Sequence, residues 1–294
     1  MKGLPKKVAV FGSLGQLGVE LSAELARRDY EVRAFERAAL DICDPAKVEE
    51  ALADFKPFAV FNAAAYNQVD LAEREPLAAF QSNALGVRNL AVGCKRIDAR
   101  LIHFSTDYVF DGALGRPYIE TDATHPLGAY AVSKLAGELY CQAYLDRPII
   151  VRTSAVFGPA GRHTARGNFL EMMLRLAREG KPIRVVEDYF ASPTYAPALA
   201  SRAIDLLERD LEGVFHIGGG QPISWFEFAR MIFEKAGVTP DLTPTNAAEY
   251  RTAAARPPYS ALENARMRQH NVPPMPDLTK AVDDYLATSR ITAA

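Results

Sequence analysis

A glycine-rich turn between an apolar strand and an amphipathic helix constrains this chain more than any other feature. The run Val8–Phe11 predicts a buried parallel strand, and Gly12, Gly15 and Gly18 follow it before leucines recur at helical spacing over 17–25. Glycines permit a tight turn, and the free N–H groups of the helix that follows favour a diphosphate. The spacing differs by one residue from the dinucleotide fingerprint GxGxxG. We interpret the turn as a nucleotide site, although glycines in such turns can also serve only the turn itself.

Strand and helix patterns alternate through the first half of the chain and predict a parallel sheet, because alternation at this length is typical of βαβ units. The pattern therefore predicts an α/β fold with a Rossmann-like doubly wound parallel sheet. Ligands of such sheets bind at the carboxyl ends of the strands, where the glycine turn, residues 62–65, residues 105–107 and Thr153 should line one cleft. The predicted strands are Val8–Phe11, Glu31–Phe35, Phe58–Asn62, Leu101–Ser105 and Ile149–Thr153. The predicted helices are Pro45–Asp54 with Asp44 as N-cap, Pro76–Ile97, Ala129–Tyr144, Ala196–Glu208 and Trp225–Ala236.

Proline and glycine interrupt the second half, as in 158–161 and 218–220. We interpret it as a smaller C-terminal substrate-binding portion that is interleaved with the main sheet. The predicted division gives residues 1–155 and about 192–212 to the dinucleotide-binding Rossmann domain, and residues 156–191 and 213–294 to the substrate-binding portion.

Composition excludes several classes of protein. The 294 residues carry a net charge of −2, which gives bulk electrostatics no reason to favour nucleic acid. No apolar stretch approaches the roughly 20 residues of a membrane helix, and the N-terminal apolar run is too short for a signal peptide. The three cysteines are scattered without a CxxC motif, which favours a reducing cytoplasm. The five histidines show no metal-ligand spacing, so no metal is expected.

Thr106, Tyr130 and Lys134 are the candidate catalytic residues. Tyr130 and Lys134 are four residues apart and therefore share one face of a helix. A neighbouring ammonium favours the phenolate and lowers the pKa of a phenol, so that the phenol can exchange a proton near neutral pH. The hydroxyl of Thr106 can hydrogen-bond the same substrate oxygen. YxxxK alone is also typical of a surface helix pair; its position downstream of the glycine turn favours catalysis.

Several motifs together resemble the extended short-chain dehydrogenase/reductase family. They also resemble its branch that reduces nucleotide-linked 4-keto-6-deoxy sugars, which serves cell-surface polysaccharide synthesis. The matching segments are GSLGQLG (12–18), LDICD (40–44), NAAAYNQVDLAE (62–73), STDYVFDG (105–112), YIETDATHPLGAYAVSKLAGE (118–138), RTSAVFG (152–158), GNF (167–169), SPTYA (192–196) and GVFHIGGG (213–220).

The resemblance implies NADPH-dependent reduction of a sugar C4 keto group, with dTDP-4-dehydro-L-rhamnose as the expected substrate and dTDP-L-rhamnose as the product. Tyr130 is then the general acid, Lys134 tunes it and binds the nicotinamide ribose, and Thr106 holds the substrate oxygen. The implied cofactor contacts are Gly12, Leu14, Gly15, Gln16 and Leu17 at the diphosphate, Asp41 and Ile42 at the adenine, and Ala63, Ala64, Ala65 and Tyr66 in the cleft. The implied contacts to the nucleotide sugar are Val69, Asp107 and Tyr108. For Val69, Asp41 and Ala63–Ala65 the alternatives are core packing or a turn.

The chain departs from this branch at several positions. Ala155 stands where the family has a large aromatic residue, and Leu71 stands where a lysine usually follows Val69-Asp70. The loop 158–167 is longer than usual. Some members hold a magnesium ion between glutamates at a dimer contact. Glu20 matches one of these positions but Pro197 occupies another, so we expect no metal-bridged dimer and leave a homodimer open.

Arginines suggest two further contacts. Glu36 and Arg37 follow the second strand, where an acidic residue favours the 2′-hydroxyl of NADH and an arginine favours the 2′-phosphate of NADPH. Both cofactors are therefore expected, with a preference for NADPH; the alternative is an exposed turn.

Arg256 is expected to contact the substrate diphosphate, with Arg162 or Arg166 closing over it from the 158–167 loop; the alternative is a solvated basic loop.

Two other functions fit the same motifs. One is an epimerase or dehydratase of the same family, although Asp107-Tyr108 after Thr106 favours simple reduction over the Asp-Glu pair of dehydratases. The other is a non-catalytic, NADP-binding regulatory subunit of a partner enzyme. The intact set of Thr106, Tyr130 and Lys134 favours the enzyme.

Overall fold

A six-stranded parallel sheet forms the centre of the protein. The computed structural model describes residues 6–164 and 167–291. The strands are β1 (Lys7–Phe11), β2 (Glu31–Phe35), β3 (Ala59–Asn62), β4 (Arg100–Thr106), β5 (Ile149–Thr153), β6 (Val156–Phe157), β7 (Ile183–Val186), β8 (Phe190–Ala191), β9 (Thr194–Tyr195), β10 (Gly213–His216), β11 (Ile223–Ser224) and β12 (Leu242–Thr245). The main sheet has the order β10-β5-β4-β3-β1-β2, and all of its neighbours are parallel. The predicted parallel sheet is therefore confirmed.

Helices cover both faces of this sheet. They are α1 (Gln16–Arg27), α2 (Pro45–Phe55), α3 (Val69–Ala72), α4 (Pro76–Phe80), α5 (Gly86–Arg96), α6 (Ala129–Tyr144), α7 (Phe169–Arg178), α8 (Ala196–Glu208), α9 (Trp225–Ala236), α10 (Ala265–Gln269) and α11 (Leu278–Ile291). One apolar core joins the sheet to α1 and α8, and a second core on the other face joins it to α2 and α5. Because both faces are covered, the central strands are continuous apolar runs rather than alternating ones.

The predicted helices form, with one difference of detail. Asp44 caps α2, since its carboxylate accepts hydrogen bonds from the backbone N–H groups of Ala46 and Lys47. The predicted helix Pro76–Ile97 is instead interrupted by a π-helical turn, Gln81–Leu85, between α4 and α5. Such turns insert one residue into a helix and are frequent at functional sites. This one carries Asn83, whose side chain has a role in the cleft described below.

A third apolar core holds the smaller portion of the molecule together. It is formed by α7, β7, α9 and α11, and Phe157 lies within it. The strand β10, which the predicted division gives to the substrate-binding portion, pairs with β5 and extends the main sheet. Residues 267 and 272 likewise pack against the first core.

Within residues 6–164 and 167–291, no helix combines the length and the apolar character needed to cross a membrane.

Candidate active site

The glycine turn forms one wall of a cleft at the carboxyl ends of β1, β2 and β3. Gly12 has a φ of +76°, and a Cβ atom there would lie 2.5 Å from the backbone nitrogen of Ala64. At Gly18 a Cβ atom would lie 2.1 Å from the carbonyl oxygen of Gly12. Only glycine fits at either position, because both contacts are to backbone that cannot move aside. The turn thus brings the start of α1 against the ends of β1 and β3.

The cavity beside this turn has a volume of about 330 Å³. It is lined by Gly12, Leu14, Gly15, Glu36, Arg37, Ala38, Leu40, Asp41, Ile42, Ala63, Ala64, Ala65, Asn67 and Ser82. The chemistry of this lining fits a dinucleotide: glycine backbone and a helix N-terminus for the diphosphate, and apolar side chains for the adenine. Most of the predicted cofactor residues therefore meet in one place.

Besides Tyr130 and Lys134, three predicted cofactor residues lie outside the lining of this cavity. The side chain of Gln16 is engaged elsewhere: its amide nitrogen donates to the carbonyl of Val156 at 2.9 Å, and its oxygen accepts from Asn168 at 2.9 Å. Leu17 packs against the first apolar core. The Tyr66 hydroxyl donates to Glu75 at 3.0 Å. A contact from Gln16 to the diphosphate would therefore come from its backbone, while its side chain ties the glycine turn to the smaller portion.

Lys134 lies buried between α6 and the sheet. Its ammonium donates to the carbonyl oxygen of Phe104 on β4 at 2.5 Å, two residues before Thr106. Burial lowers the pKa of Lys134 to about 8, and the carboxylate of Glu138, one turn further along α6, partly offsets this effect. The lysine is therefore fixed in position by strand β4, with a pKa close to neutral pH.

Glu138 belongs to a buried ion pair beneath Lys134. Both side chains of the pair are almost fully buried, and Arg152 of β5 donates from Nη2 to Glu138 at 2.7 Å. The Ser105 hydroxyl donates to the same carboxylate at 2.5 Å. Because a buried charge needs a partner, this group joins α6 firmly to β4 and β5. It fixes the helix that carries Tyr130 and Lys134.

Tyr130 is the second residue of α6 and lies one helical turn before Lys134. Its ring meets that of Tyr108 edge to face, with ring centroids 6.2 Å apart and an interplanar angle of 85°. Both tyrosines line a narrow cleft together with Val69, Glu73 and Pro257. The predicted catalytic tyrosine and two of the predicted sugar contacts are therefore neighbours.

Thr106 ends β4 at the edge of this cleft. Its hydroxyl donates to Asp107 at 3.1 Å and accepts from the backbone N–H of Tyr108 at 3.2 Å. A hydroxyl has one proton, so donation to a substrate oxygen would replace the bond to Asp107. The carboxylate of Asp107 thus holds the Thr106 hydroxyl in a defined orientation.

Asp107, a predicted contact to the nucleotide sugar, is part of a buried group of hydrogen-bonded side chains. It is buried, and its carboxylate also accepts hydrogen bonds from Ser154 at 2.7 Å and from Ser260 at 2.5 Å. Burial raises the pKa of Asp107 to about 6, against the opposing effect of the hydroxyl donors. These bonds join β4 to the segments of Ser154 and Ser260, and the contact of Asp107 with the sugar stays a prediction. Sequence could not indicate these bonds, because the two serines are distant in the chain.

A second cavity, of about 250 Å³, continues from Tyr108 into the smaller portion. Its lining is mainly aromatic and apolar: Tyr108, Phe169, Met172, Met173, Arg184, Val185, Val186, Tyr189, Trp225, Tyr250 and Arg256. Arg256 reaches it with a guanidinium that already binds both oxygens of Asp70, at 3.0 and 2.6 Å. The predicted position of Arg256 beside the substrate region agrees with this lining, and Asp70 is a partner that the sequence did not suggest.

Arg162, a predicted contact to the substrate diphosphate, is bonded to Glu171 and α11 and is not among the residues that line the two cavities. Its guanidinium stacks 4.2 Å from the ring centroid of Tyr285 and donates to Glu171 at 3.0 Å and to the carbonyl of Tyr285 at 2.7 Å. These contacts hold the 159–163 turn against α11, away from both cavities. The other candidate in this loop, Arg166, lies outside the described residues.

Ala155 has a φ of +44°, a backbone conformation that is uncommon for a residue with a side chain.

Sequence reasoning missed three residues that shape the cleft. Asn83 is fully buried in the π-helical turn; its amide donates to the carbonyl of Tyr66 at 2.8 Å and to Ser133 of α6 at 2.9 Å. Asp70 anchors Arg256, and Glu73 accepts a hydrogen bond from the backbone of Ala129 at 2.8 Å. Asp70 and Glu73 lie in the NAAAYNQVDLAE segment. The sequence identified this motif but did not indicate which contacts its two acidic residues make.

In the part of the chain that the structure describes, no group of three or more His, Cys, Asp or Glu side chains is arranged to hold a metal ion.

Comparison with known proteins agrees with this arrangement. The family described as RmlD substrate binding domain matches residues 6–291. The dTDP-4-dehydrorhamnose reductase of Mycobacterium tuberculosis is 37% identical over 294 residues, covering 98% of this chain and 94% of the relative. The spore coat polysaccharide biosynthesis protein SpsK of Bacillus subtilis is 36% identical over 280 residues, covering 95% and 96%.

Solved structures agree with the similarity found to these relatives in sequence. A crystal structure of dTDP-4-dehydrorhamnose reductase from Bacillus anthracis in complex with NADP has a TM-score of 0.92 and 34% identity, covering 97% of this chain and 99% of its own. The resemblance that the motifs suggested is confirmed along nearly the whole length of the sequence. This chain belongs to the RmlD substrate binding domain family.

Proposed function

We propose that this protein is an NADPH-dependent reductase of the C4 keto group of a nucleotide-linked 6-deoxy-4-keto sugar. dTDP-4-dehydro-L-rhamnose is the first substrate to test, with dTDP-L-rhamnose as the product. The full-length similarity to dTDP-4-dehydrorhamnose reductases supports this proposal. The observation that carries it is the position of Lys134, buried and bonded to β4 beside Thr106 and one turn from Tyr130.

The cofactor and the protein supply different parts of the reduction. NADPH, when bound in the cleft beside Gly12, supplies the hydride that a C4 carbonyl needs. Tyr130 holds the proton that the carbonyl oxygen receives, and the positive charge of Lys134 favours its release. Thr106 offers a hydroxyl to the same oxygen. Its bond to Asp107 keeps it oriented until the substrate replaces that bond.

The aromatic cavity beyond Tyr108 supports a nucleotide-linked substrate. Trp225 and Tyr250 offer flat faces for a base, and Arg256 offers charge for a diphosphate at the inner end of the cavity. The narrow cleft between Val69, Tyr108 and Tyr130 would then receive the sugar. In this arrangement the reacting carbon comes to lie between the two cavities, beside Tyr130.

The test is NADPH oxidation with a panel of nucleotide-linked 4-keto sugars that differ in base and in sugar stereochemistry. We expect turnover with a thymidine-linked 6-deoxy-4-keto sugar, and identification of the 4-hydroxy product by mass spectrometry. Absence of turnover across the panel, together with a stoichiometric protein partner in a pull-down, would favour the regulatory subunit instead. Product without net NADPH consumption would favour an epimerase.

A dehydratase has less support in the geometry. Such an enzyme needs a free carboxylic acid beside the threonine, whereas Asp107 is buried and accepts hydrogen bonds from Thr106, Ser154 and Ser260. Three free thiols agree with the proposed cytoplasmic location. A homodimer stays a prediction that light scattering can test.

A further inference from the structure

The catalytic helix α6 begins without a side-chain cap of its own. Gly128 occupies the N-cap position, where Ser, Thr, Asp or Asn usually satisfies a free N–H group. Its φ of −155° and ψ of 173° are extended backbone that any residue adopts, so the conformation does not require glycine. The reason for glycine lies in the neighbouring side chain: a Cβ atom at 128 would lie 2.6 Å from Oε1 of Glu73.

Glu73 supplies the missing cap from another segment of the chain. Its Oε1 accepts a hydrogen bond from the backbone N–H of Ala129, the first residue of α6, at 2.8 Å. A carboxylate is favourable there because the N-terminus of a helix carries a partial positive charge. Tyr130 follows Ala129 directly, so the bond lies one residue from the proposed proton donor.

The position of Glu73 is in turn fixed from the substrate side of the cleft. It follows the short helix α3, whose Asp70 binds the guanidinium of Arg256 and accepts from the backbone N–H of Ala254 at 3.1 Å. The segment 70–73 therefore contacts residues 254–256 through Asp70 and the start of α6 through Glu73.

We propose that Glu73 is a positioning residue of the reductase, which holds the first turn of α6 so that the Tyr130 hydroxyl lies at the substrate carbonyl. The inference rests on the proposed function. It assigns to Glu73 an action through the helix backbone rather than contact with the reacting atoms. A displacement of about 1 Å at a reacting group can cost ~10²-fold in rate, so a cap that fixes the start of this helix has a direct kinetic consequence.

The test compares two replacements of Glu73. Glu73→Ala removes the acceptor, and we expect kcat to fall roughly ten- to a hundredfold with little change in KM for NADPH. Glu73→Gln keeps an amide oxygen that can accept the same bond, and should retain kcat within about threefold of the wild type. Asp277→Ala is the matched control: it removes a side chain that caps the start of α11, remote from the cleft, and should leave kcat unchanged.

A second substitution makes the test specific for capping. In the Glu73→Ala background, Gly128→Ser meets no carboxylate and places a hydroxyl at the N-cap, where it can accept from the second or third N–H group of α6. We expect this double variant to recover most of the lost kcat. In the wild-type background, the same Gly128→Ser change should displace the Glu73 carboxylate and leave kcat nearly unchanged, because the serine hydroxyl then caps α6 in its place.

Hydrogen exchange separates this inference from the proposed function. Amides 129–132 should exchange faster in Glu73→Ala and return towards the wild-type rate in the double variant, whether or not any sugar is turned over. If the wild type reduces no sugar, the proposed function fails. The hydrogen-exchange rates still show whether Glu73 caps the start of α6. Unchanged exchange in Glu73→Ala, wild-type kcat in that variant, or a Glu73→Gln enzyme as slow as Glu73→Ala would each overturn the positioning role.

Discussion

The cofactor cleft and the substrate cleft are built by different means. The cofactor cleft is formed largely by backbone: Gly12 lies against Ala64, and the lining comes from residues 12–82, at the ends of adjacent parallel strands. The substrate cleft is formed by side chains from distant segments, such as Arg256 with Asp70 and Asp107 with Ser154 and Ser260. Backbone complementarity gives the first cleft its shape whatever the neighbouring side chains are. The second depends on pairings that a single substitution can break.

Tyr130 lines the narrow cleft beside Tyr108, and its replacement should have the largest effect. Tyr130→Phe keeps the ring, and so its packing against Tyr108, but removes the proposed proton donor. We expect turnover to fall by ~10²–10⁴ with the affinity for NADPH nearly unchanged. Stopped-flow turnover and fluorescence titration of NADPH measure the two quantities. Near-normal turnover would reject Tyr130 as the acid.

Gly12→Ala tests the backbone-built cleft. The new Cβ would lie 2.5 Å from the Ala64 nitrogen, and the φ of +76° is strained for alanine. We expect NADPH affinity to fall by roughly a hundredfold, as the turn moves by enough to lose its diphosphate contacts. Gly115→Ala is the control: its φ is also positive, at +64°, but a Cβ there meets nothing within 4 Å. Equal NADPH binding by both variants would mean that the turn does not shape the site.

The pH dependence of kcat/KM tests the role of the Lys134 ammonium, which lies one helical turn from Tyr130. Burial lowers the pKa of Lys134 to about 8, so its ammonium is lost as pH rises through that value. Because the charged lysine favours proton release from Tyr130, reduction should decline above about pH 8 and approach a ~tenfold loss per pH unit. Glu138 opposes the shift, so Glu138→Gln should move this decline to lower pH. A rate that stays flat to pH 10 would separate Lys134 from the proton transfer.

Arg256→Ala tests the side-chain-built cleft. If this guanidinium meets the substrate diphosphate, KM for the nucleotide sugar should rise roughly tenfold while NADPH binding is retained, since a hydrogen bond to a charged group contributes about 1.5–3 kcal/mol. Arg162→Ala is the matched control, because Arg162 contacts Tyr285 and Glu171 instead of a cavity. Its expected effect is a lower Tm with KM unchanged. Equal KM in the two variants would remove Arg256 from the site.

The two clefts also differ in how far the sequence could predict them. Local patterns were sufficient for the sheet, the N-cap Asp44 and the glycine turn, because each depends on neighbours within a few residues. They did not indicate the partners of Asp107 and Arg162, because each has a partner more than a hundred residues away in sequence, at Ser260 and Tyr285. A pairing between distant side chains leaves no periodic signal in a single sequence. The acidic residues of the 62–73 motif were overlooked for the same reason.

Arg37→Ala should have the smallest effect and tests a charged side chain at the edge of the cofactor cleft. Arg37 is 85% exposed and makes a 3.3 Å ion pair with Asp41, so solvent screens most of its charge. If it meets the 2′-phosphate, its loss should weaken NADPH binding only about three- to tenfold and leave NADH binding unchanged. Glu36→Gln is the complementary variant, since a carboxylate there would favour the 2′-hydroxyl; it should shift preference further towards NADPH. Calorimetric titration of both cofactors against both variants measures the selectivity directly. Equal losses for NADPH and NADH in Arg37→Ala would mean that this arginine lies in an exposed turn and that selectivity arises from the backbone of the cleft.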